Sequence, residues 1–183
     1  MRRNKIVILL PGMLGSGCTS VARLLADRLG LKIINSESII REIVSERGAS
    51  FLEMAAMVRD GEVDLEGIIR SIALDYINEG DVIVEGRTAL TLLDKPATIK
   101  AFLYADKSYR AKRVAERREI SLEEAEREVE RSDEDRRRLV ERLYNHDWLD
   151  PSLYDVVVNT SRIPVERGVE VIEAYCKLCS LEP

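Results

Sequence analysis

The sequence predicts an α/β fold: a central parallel five-stranded sheet with helices on both faces, in three layers. Two observations lead to this prediction. Short runs are apolar on both faces, as strands of a covered sheet must be, and helical patterns separate all of these runs, as parallel neighbours require. The predicted strands are Lys5–Leu10, Lys32–Ile34, Asp81–Glu85, Ile99–Tyr104 and Tyr154–Val158.

Capping residues mark several helix boundaries. Gly30 and Gly80 fit helix ends, where a left-handed backbone is common. The stretches Ser50–Glu53 and Ser121–Glu124 have the spacing of capping boxes, in which the serine and the glutamate each satisfy a backbone N–H group. Pro164 suits the first turn of the last helix, because its missing N–H group would have no partner there.

Composition excludes several classes of protein. The chain has 183 residues with 45% hydrophobic content, enough for one domain with a full core. No apolar segment approaches a membrane span, residues 1–4 leave no room for a signal peptide before the first strand, and three cysteines make no disulfide framework. The net charge of −5 argues against a nucleic-acid surface. We expect a cytoplasmic protein without membrane or nucleic-acid partners, either a monomer or a small homo-oligomer.

The stretch from Pro11 to Thr19 has the spacing of a phosphate-binding P-loop. That motif reads Gly, four residues, Gly, Lys and Ser or Thr, between a strand and a helix. Gly12, Gly17 and Thr19 match it, but the lysine position holds Cys18. We therefore expect a P-loop NTPase fold with a phosphate site that lacks its usual cation.

The rest of the loop chemistry does not need the lysine. Gly12, Gly15 and Gly17 allow the backbone to turn its N–H groups inward, and the following helix directs its positive end at the same point. The hydroxyl of Thr19 is placed to ligate Mg²⁺. A loop and helix that bind no phosphate are the alternative interpretation.

The segment from residue 110 to residue 142 is densely charged, with ten arginines and eleven acidic residues. One interpretation is a solvated helix pair with weak ion pairs; the other is a lid whose arginines close over phosphates. Three acidic residues stand four positions before an arginine, which supports an exposed helix: Glu123/Arg127, Asp133/Arg137 and Glu134/Arg138.

The chain reads as one domain with two inserted parts. Two helical segments, roughly residues 50–60 and 63–78, lie between the second and third strands and are longer than a simple crossover needs. Such an insertion at the carboxyl edge of a sheet can hold a second substrate. The predicted division is a core of residues 1–35, 80–109 and 150–183, a substrate-binding insertion of residues 36–79 and a lid region of residues 110–149.

Five segments, in this order and spacing, resemble the cytidylate kinases, and more closely their archaeal and cytidylate-kinase-like branches, within the P-loop nucleoside monophosphate kinases. The segments are Gly12–Thr19, Asn35–Arg41, Val84–Arg87, Arg131–Arg138 and Trp148–Ser161. The resemblance covers nearly the whole chain. It implies transfer of the γ-phosphoryl group of ATP to the phosphate of CMP or dCMP, with Mg²⁺.

The resemblance implies an ATP side built on the P-loop. Thr160 and Ser161 resemble the loop beside the adenine. We hypothesise that Arg110 and Arg113, and next Arg117, supply the charge that the absent lysine leaves out. The expected ATP-binding loop residues are Gly12, Gly15, Ser16, Gly17, Cys18, Thr19 and Ser20.

The resemblance also places a second group of residues around the monophosphate. The expected residues are Ser36, Arg41, Asp64, Arg87, Arg131, Asp135 and Arg138. The first three have structural alternatives: Ser36 as a helix N-cap, Arg41 on a solvated helix face and Asp64 as a first-turn carboxylate. Arginine forks suit phosphate, Asp135 can accept from ribose hydroxyls, and Arg138 can bridge towards the γ-phosphate.

Glu85 ends the third strand beside the P-loop. It can hold a Mg²⁺-bound water or orient Arg87, because the carboxyl ends of parallel strands line the ligand crevice. The alternative is a surface carboxylate at the end of a strand. The expected catalytic residues are Arg87, Arg110, Arg113 and Arg138.

Two other functions remain open. One keeps the fold and changes the acceptor to UMP, AMP, dTMP or a non-nucleotide alcohol, for which Glu85 is the candidate base. The other is a non-catalytic nucleotide-binding regulatory protein, which the absent lysine favours.

The cysteines lead to two minor expectations. Cys18, at a helix start, is expected to have a depressed thiol pKa. Cys176 and Cys179 follow helical spacing with Val169 and Ile172, so both thiols are expected to face the core.

Overall fold

Five parallel strands form the centre of the computed structural model, which describes residues 5–47 and 64–179. The strands lie in the order β2-β3-β1-β4-β5, and every neighbouring pair is parallel. The predicted sheet is thus confirmed; β2 and β4 have the predicted bounds, and β5 lies slightly later in the chain. The bounds are β1 Val7–Leu10, β2 Lys32–Ile34, β3 Val82–Glu85, β4 Ile99–Tyr104 and β5 Val156–Asn159.

Helices connect the strands, and their ends follow the predicted caps. Gly30 ends its helix in the left-handed region, with φ 69°, Gly80 ends another, and the capping box of Ser121 and Glu124 is formed. The capping box at Ser50–Glu53 lies outside the described residues. The bounds are α1 Cys18–Leu29, α2 Ser36–Arg47, α3 Leu65–Glu79, α4 Arg87–Leu90, α5 Lys107–Arg118, α6 Leu122–Tyr144 and α7 Val165–Cys179, with a 3₁₀ turn at Pro151–Leu153.

Side chains of β1 alternate between two hydrophobic cores, one on each face of the sheet. Ile8 and Leu10 pack with α1 and α7, while Val7 and Leu9 pack with α2 and α3. This alternation follows from the two-residue repeat of a strand. It produces the three predicted layers, helices over sheet over helices.

The helices α5 and α6 form a hairpin beside the sheet. Near the turn they share a small core of Ala111, Val114, Ala125 and Val129. The other end of α6 joins an aromatic cluster that includes Phe102 of β4. The hairpin covers most of the segment predicted to be a lid. The division into core, insertion and lid stays a prediction.

None of the helices within residues 5–47 and 64–179 combines the length and the apolar character that a membrane crossing requires. The longest of them, α6, has charged residues over most of its surface.

We predict that the aromatic cluster is a main source of stability for α6. Phe102 is 2% exposed and lies 5.6 Å from the Trp148 ring and 4.7 Å from the Tyr154 ring, measured between ring centroids. Phe102→Leu removes both aromatic contacts and should lower the free energy of unfolding by about 1–3 kcal/mol. Urea denaturation measures this change. Leu178→Ala, at a 67% exposed position, is the control and should change it by less than about 0.5 kcal/mol.

Candidate active site

The site lies at the carboxyl edge of the sheet, where β1 and β3 end side by side. Leu10 of β1 is in register with Glu85 of β3, and the P-loop follows β1 directly. A cleft of about 830 Å³ opens there, and it is lined by the P-loop, the starts of α1 and α2, the end of β3 and the α5–α6 hairpin. Ligands of open parallel sheets bind at this edge.

The P-loop backbone depends on glycine at three positions. Gly15 and Gly17 have φ of 85° and 92°, values that side chains rarely allow. A Cβ atom at Gly12 would lie 2.5 Å from the Sγ atom of Cys18 and 2.7 Å from the carbonyl oxygen of Leu103. Any other residue at these positions would therefore distort the loop.

Two buried hydroxyl groups stabilise the P-loop by hydrogen bonds to its carbonyl groups. The buried Thr160 hydroxyl donates to the Ser16 carbonyl at 2.8 Å, and the buried Ser16 hydroxyl donates to the Met13 carbonyl at 2.8 Å. Ser161 hydrogen bonds to Asn159. Thr160 thus holds the phosphate loop in this structure, and the contact of Thr160 and Ser161 with adenine stays a prediction.

Glu85 is a buried carboxylate that faces the cleft. It is 4% exposed, and the side-chain amide of Asn35 donates to it at 2.7 Å. The interpretation of Glu85 as a surface carboxylate is therefore wrong. Asn35 also caps α2, because its Oδ1 atom accepts from the Ser38 N–H at 2.8 Å. The N-cap alternative for Ser36 is thus wrong as well; Ser36 is the first helical residue, and it lines the cleft.

Three of the predicted arginines line the cleft: Arg87, Arg113 and Arg117. The Nη1 atom of Arg113 lies 3.2 Å from the point where a Cβ of Gly17 would be, which places this guanidinium over the start of α1. Arg87 forms an exposed ion pair with Glu66 at 3.2 Å. Thr19, Ser20 and the P-loop glycines line the same cleft.

Arg110 is held away from the cleft. It is 3% exposed, and its guanidinium makes two hydrogen bonds to Asp133, at 2.9 and 2.7 Å. Its Nε atom donates to the Ala105 carbonyl at 2.9 Å. The predicted Asp133/Arg137 pair is therefore wrong: Arg110 takes the Asp133 carboxylate, and Arg137 instead pairs with neighbouring glutamates of α6. The pairs Glu123/Arg127 and Glu134/Arg138 are formed as predicted.

A smaller cavity of about 390 Å³ adjoins the cleft, since Leu14, Arg87 and Arg136 line both. Arg131 and Asp135 of α6 also line it. Three residues predicted for the acceptor, Arg87, Arg131 and Asp135, thus meet in one place.

The other predicted acceptor residues lie elsewhere within the described part of the chain. Arg41 pairs with Glu37 at 2.7 Å on the exposed face of α2, and Arg138 pairs with Glu134. Asp64 is the N-cap of α3, and its carboxylate accepts from the Gly67 N–H at 3.0 Å. This position is one residue before the first helical turn, where the structural alternative placed it. Their substrate contacts stay predictions.

Arg136 lies in the site, and sequence reasoning did not identify it. Its Nε atom donates to the carbonyl of Gly12 at 3.2 Å, so its guanidinium lies against the P-loop. The helical spacing of the sequence could have identified it, because Arg136 is seven residues after the buried Val129 and four before the buried Val140. It therefore lies on the buried face of α6, where charged side chains are rare unless they have a structural or functional partner.

Burial raises the pKa of the Cys18 thiol to about 11, while a hydrogen bond between this thiol and the Ser16 hydroxyl lowers it by less. The expected depressed pKa is therefore wrong, because the thiol is enclosed by the loop and the helix start does not compensate. Cys176 is buried as expected. The expectation that Cys179 faces the core is wrong: its side chain is exposed, and it is the last residue of α7.

We predict that Cys18 alkylates slowly. With its thiol pKa near 11, its thiolate fraction at pH 8 is about 10²-fold below that of a cysteine at the ordinary value. Iodoacetamide should label it at least about tenfold more slowly than the exposed Cys179, with a rate that rises until pH 11. Peptide mass spectrometry gives both rates, and Cys18→Ser confirms the peptide. A Cys18 rate that levels off below pH 9 would contradict the raised pKa.

Comparison with known proteins identifies the family. The sequence model of the cytidylate kinase-like family matches residues 7–162 of this chain. Proteins named cytidylate kinase from Methanopyrus kandleri and Pyrococcus horikoshii are each 36% identical to this chain; the first alignment covers 92% of both chains, the second 95% of this chain and 90% of the relative. Shikimate kinase from Acinetobacter baumannii, solved with shikimate, has a TM-score of 0.63 at 18% identity, over 98% of this chain and 97% of its own, and so shares the P-loop kinase fold. The chain therefore belongs to the cytidylate kinase-like family.

Proposed function

We propose that this chain transfers the γ-phosphoryl group of ATP to the phosphate of CMP or dCMP. An oxygen of the acceptor phosphate attacks the γ-phosphorus, and the bond to the β–γ bridging oxygen breaks, which gives ADP and CDP or dCDP. One observation carries the proposal: a P-loop cleft adjoins a second arginine-lined cavity, and Arg87 and Arg136 lie at their junction. Relatives that are 31–36% identical to the chain are named cytidylate kinase.

The larger cleft suits the triphosphate. The P-loop glycines and the positive end of α1 favour an anion. Thr19 and Glu85 both line the cleft and offer the oxygen ligands that Mg²⁺ prefers, Glu85 through a water. When bound, Mg²⁺ would neutralise phosphate charge. Arg113 and Arg117 line the same cleft and would face the phosphates from the hairpin.

The smaller cavity suits the acceptor phosphate and ribose. Arg87 and Arg131 can bind the phosphate as forks, and Asp135 can accept from ribose hydroxyls. Ser36 lines the larger cleft. Arg41 and Arg138 could join them at little cost, because exposed ion pairs contribute little stability and break easily.

Arg110 has a different role in this proposal. Removing one partner of a fully buried pair costs about 3–5 kcal/mol. Asp133 is partly exposed, which reduces this cost, but the Arg110 guanidinium is buried and would be left without its bidentate partner, so freeing it still costs more than freeing an exposed arginine. Arg110 therefore stays paired during turnover and acts as a positioning residue, because it holds α5 against α6 and so sets where Arg113 stands.

The proposed reaction needs no general base. The acceptor phosphate is already an anion, so catalysis consists of positioning and of stabilising the charge on the transferring group. An alcohol acceptor would need a base. Glu85 is buried at the cleft and is the candidate for that second function.

A coupled ADP-release assay tests the proposal. With ATP and Mg²⁺, we expect turnover with CMP and dCMP and at least tenfold lower kcat/KM with UMP, AMP, dTMP and shikimate. Turnover with an alcohol alone would instead favour the second function. Tight ATP binding without turnover on any acceptor would indicate a nucleotide-binding regulatory protein and would overturn the proposal.

We predict that Arg131 binds the acceptor and not ATP. Arg131→Ala removes a phosphate fork from the smaller cavity and should raise KM for CMP by about 10–100-fold, with KM for ATP changed less than threefold. Steady-state kinetics with each substrate varied give both values. Arg127→Ala is the control, since Arg127 lies on the same helix in an exposed pair with Glu123. Equal effects of the two variants would contradict this placement.

A further inference from the structure

Position 18 is where the P-loop motif carries its lysine, and its side chain points towards Gly12. The Sγ atom of Cys18 lies 2.5 Å from the point where a Cβ of Gly12 would be. A lysine at this position would start along the same direction, past Gly12, and then enter the cleft that Cys18 lines. The raised pKa of the Cys18 thiol leaves it neutral, so the residue itself brings no charge of either sign.

Arg136 of α6 also reaches Gly12. Its Nε atom donates to the Gly12 carbonyl, and its Nη1 atom donates to the Ser132 carbonyl at 3.1 Å and to the Ser132 hydroxyl. These contacts fix the guanidinium at the mouth of the loop. Within residues 5–47 and 64–179 its Nη2 atom has no hydrogen-bond partner, so both N–H groups of this atom are available, and Arg136 lines both cavities.

The charge of Arg136 is not cancelled by its neighbours. Asp133, the acidic residue one turn earlier on α6, is neutralised by the two hydrogen bonds from Arg110. Burial is the main cause that lowers the pKa of the Arg136 guanidinium; the charges of Arg87 and Arg110 lower it further, and the Asp133 carboxylate partly offsets them. An arginine nevertheless stays protonated. Among the described residues, no carboxylate forms an ion pair with Arg136, and a half-buried positive charge of this kind is suited to bind an anion.

We propose that Arg136 takes the place of the P-loop lysine, so that its guanidinium contacts the β- and γ-phosphates of ATP at Gly12 and stabilises the transferring phosphoryl group. The proposal rests on the proposed function for its catalytic part. Arg113 lies near the P-loop too, but it stands over Gly17 and is the less direct substitute, because the missing side chain points towards Gly12.

A rescue experiment tests the exchange of one cation for the other. Arg136→Gln keeps a donor for the Gly12 carbonyl and removes the charge; it should lower kcat/KM for ATP by about 10²–10³-fold. Adding Cys18→Lys to this variant should restore at least tenfold. Arg137→Gln, one residue further along α6 and exposed, is the matched control and should stay within threefold of wild type. Thermal melting of each variant establishes that it is folded.

Three results of these kinetic experiments would overturn the proposal. Arg136→Gln within threefold of wild type would show that the charge is not needed. Failure of Cys18→Lys to improve a folded Arg136→Gln protein would show that the two positions are not equivalent. A raised KM for CMP with an unchanged Kd for ATP would assign Arg136 to the acceptor cavity that it also lines.

Calorimetric binding of ATP with Mg²⁺ separates this proposal from the proposed function. The Kd should rise at least tenfold in Arg136→Gln, return towards the wild-type value with Cys18→Lys, and stay unchanged in Arg137→Gln. This measurement needs no acceptor. If wild type fails to phosphorylate CMP, the proposed function falls, and these three Kd values still decide whether Arg136 replaces the lysine; equal Kd values in wild type and Arg136→Gln overturn it.

Discussion

The arrangement of the site depends on one ion pair, that of the buried Arg110 with the partly buried Asp133. The Arg110 fork joins α5 to α6 through the Asp133 carboxylate, and its remaining donors reach the carbonyls of Ala105, just after β4, and Leu14, in the P-loop. Four parts of the chain therefore meet at one guanidinium. Because a planar fork with five donors can satisfy several acceptors at fixed angles, a lysine could not replace it. The pair fixes the distance of the hairpin from the P-loop, and the other arginines are placed as a result.

The arginines of the hairpin consequently have different roles, which composition does not distinguish. Arg110 is buried and holds the structure, whereas Arg113, Arg117, Arg131 and Arg136 point into the two cavities. Neutralising Asp133 has a second effect, since it removes the carboxylate that would otherwise compete with phosphate for Arg136. A structural ion pair thus leaves the neighbouring cations available for an anionic substrate.

The fold could be predicted from the sequence for two reasons. The strands are short, apolar and separated by helices, and the backbone angles of the P-loop favour glycine over other residues. The site could be predicted less completely. Glu85, Arg87, Arg131 and Asp135 were placed by motif and resemblance, and they do line the cavities. The partners of Arg110 and Arg136 could not be predicted, since each arginine contacts another part of the chain. The i, i+4 spacing rule considers only pairs within one helix. It therefore paired Asp133 with Arg137 and could not predict that Arg110 of α5 binds Asp133.

The contact between Arg136 and Gly12 also bears on the order in which the site is built. A lysine at position 18 stands six residues from Gly12, so its charge would be present as soon as the loop and α1 had folded. Arg136 is 124 residues away, and its contact forms only when the hairpin has docked on the sheet. Contacts of such sequence separation form late, and elements at the edge of a domain open before its core does. The positive charge that binds the phosphates is therefore present only after tertiary assembly. An incompletely folded chain with a folded P-loop would still lack this charge.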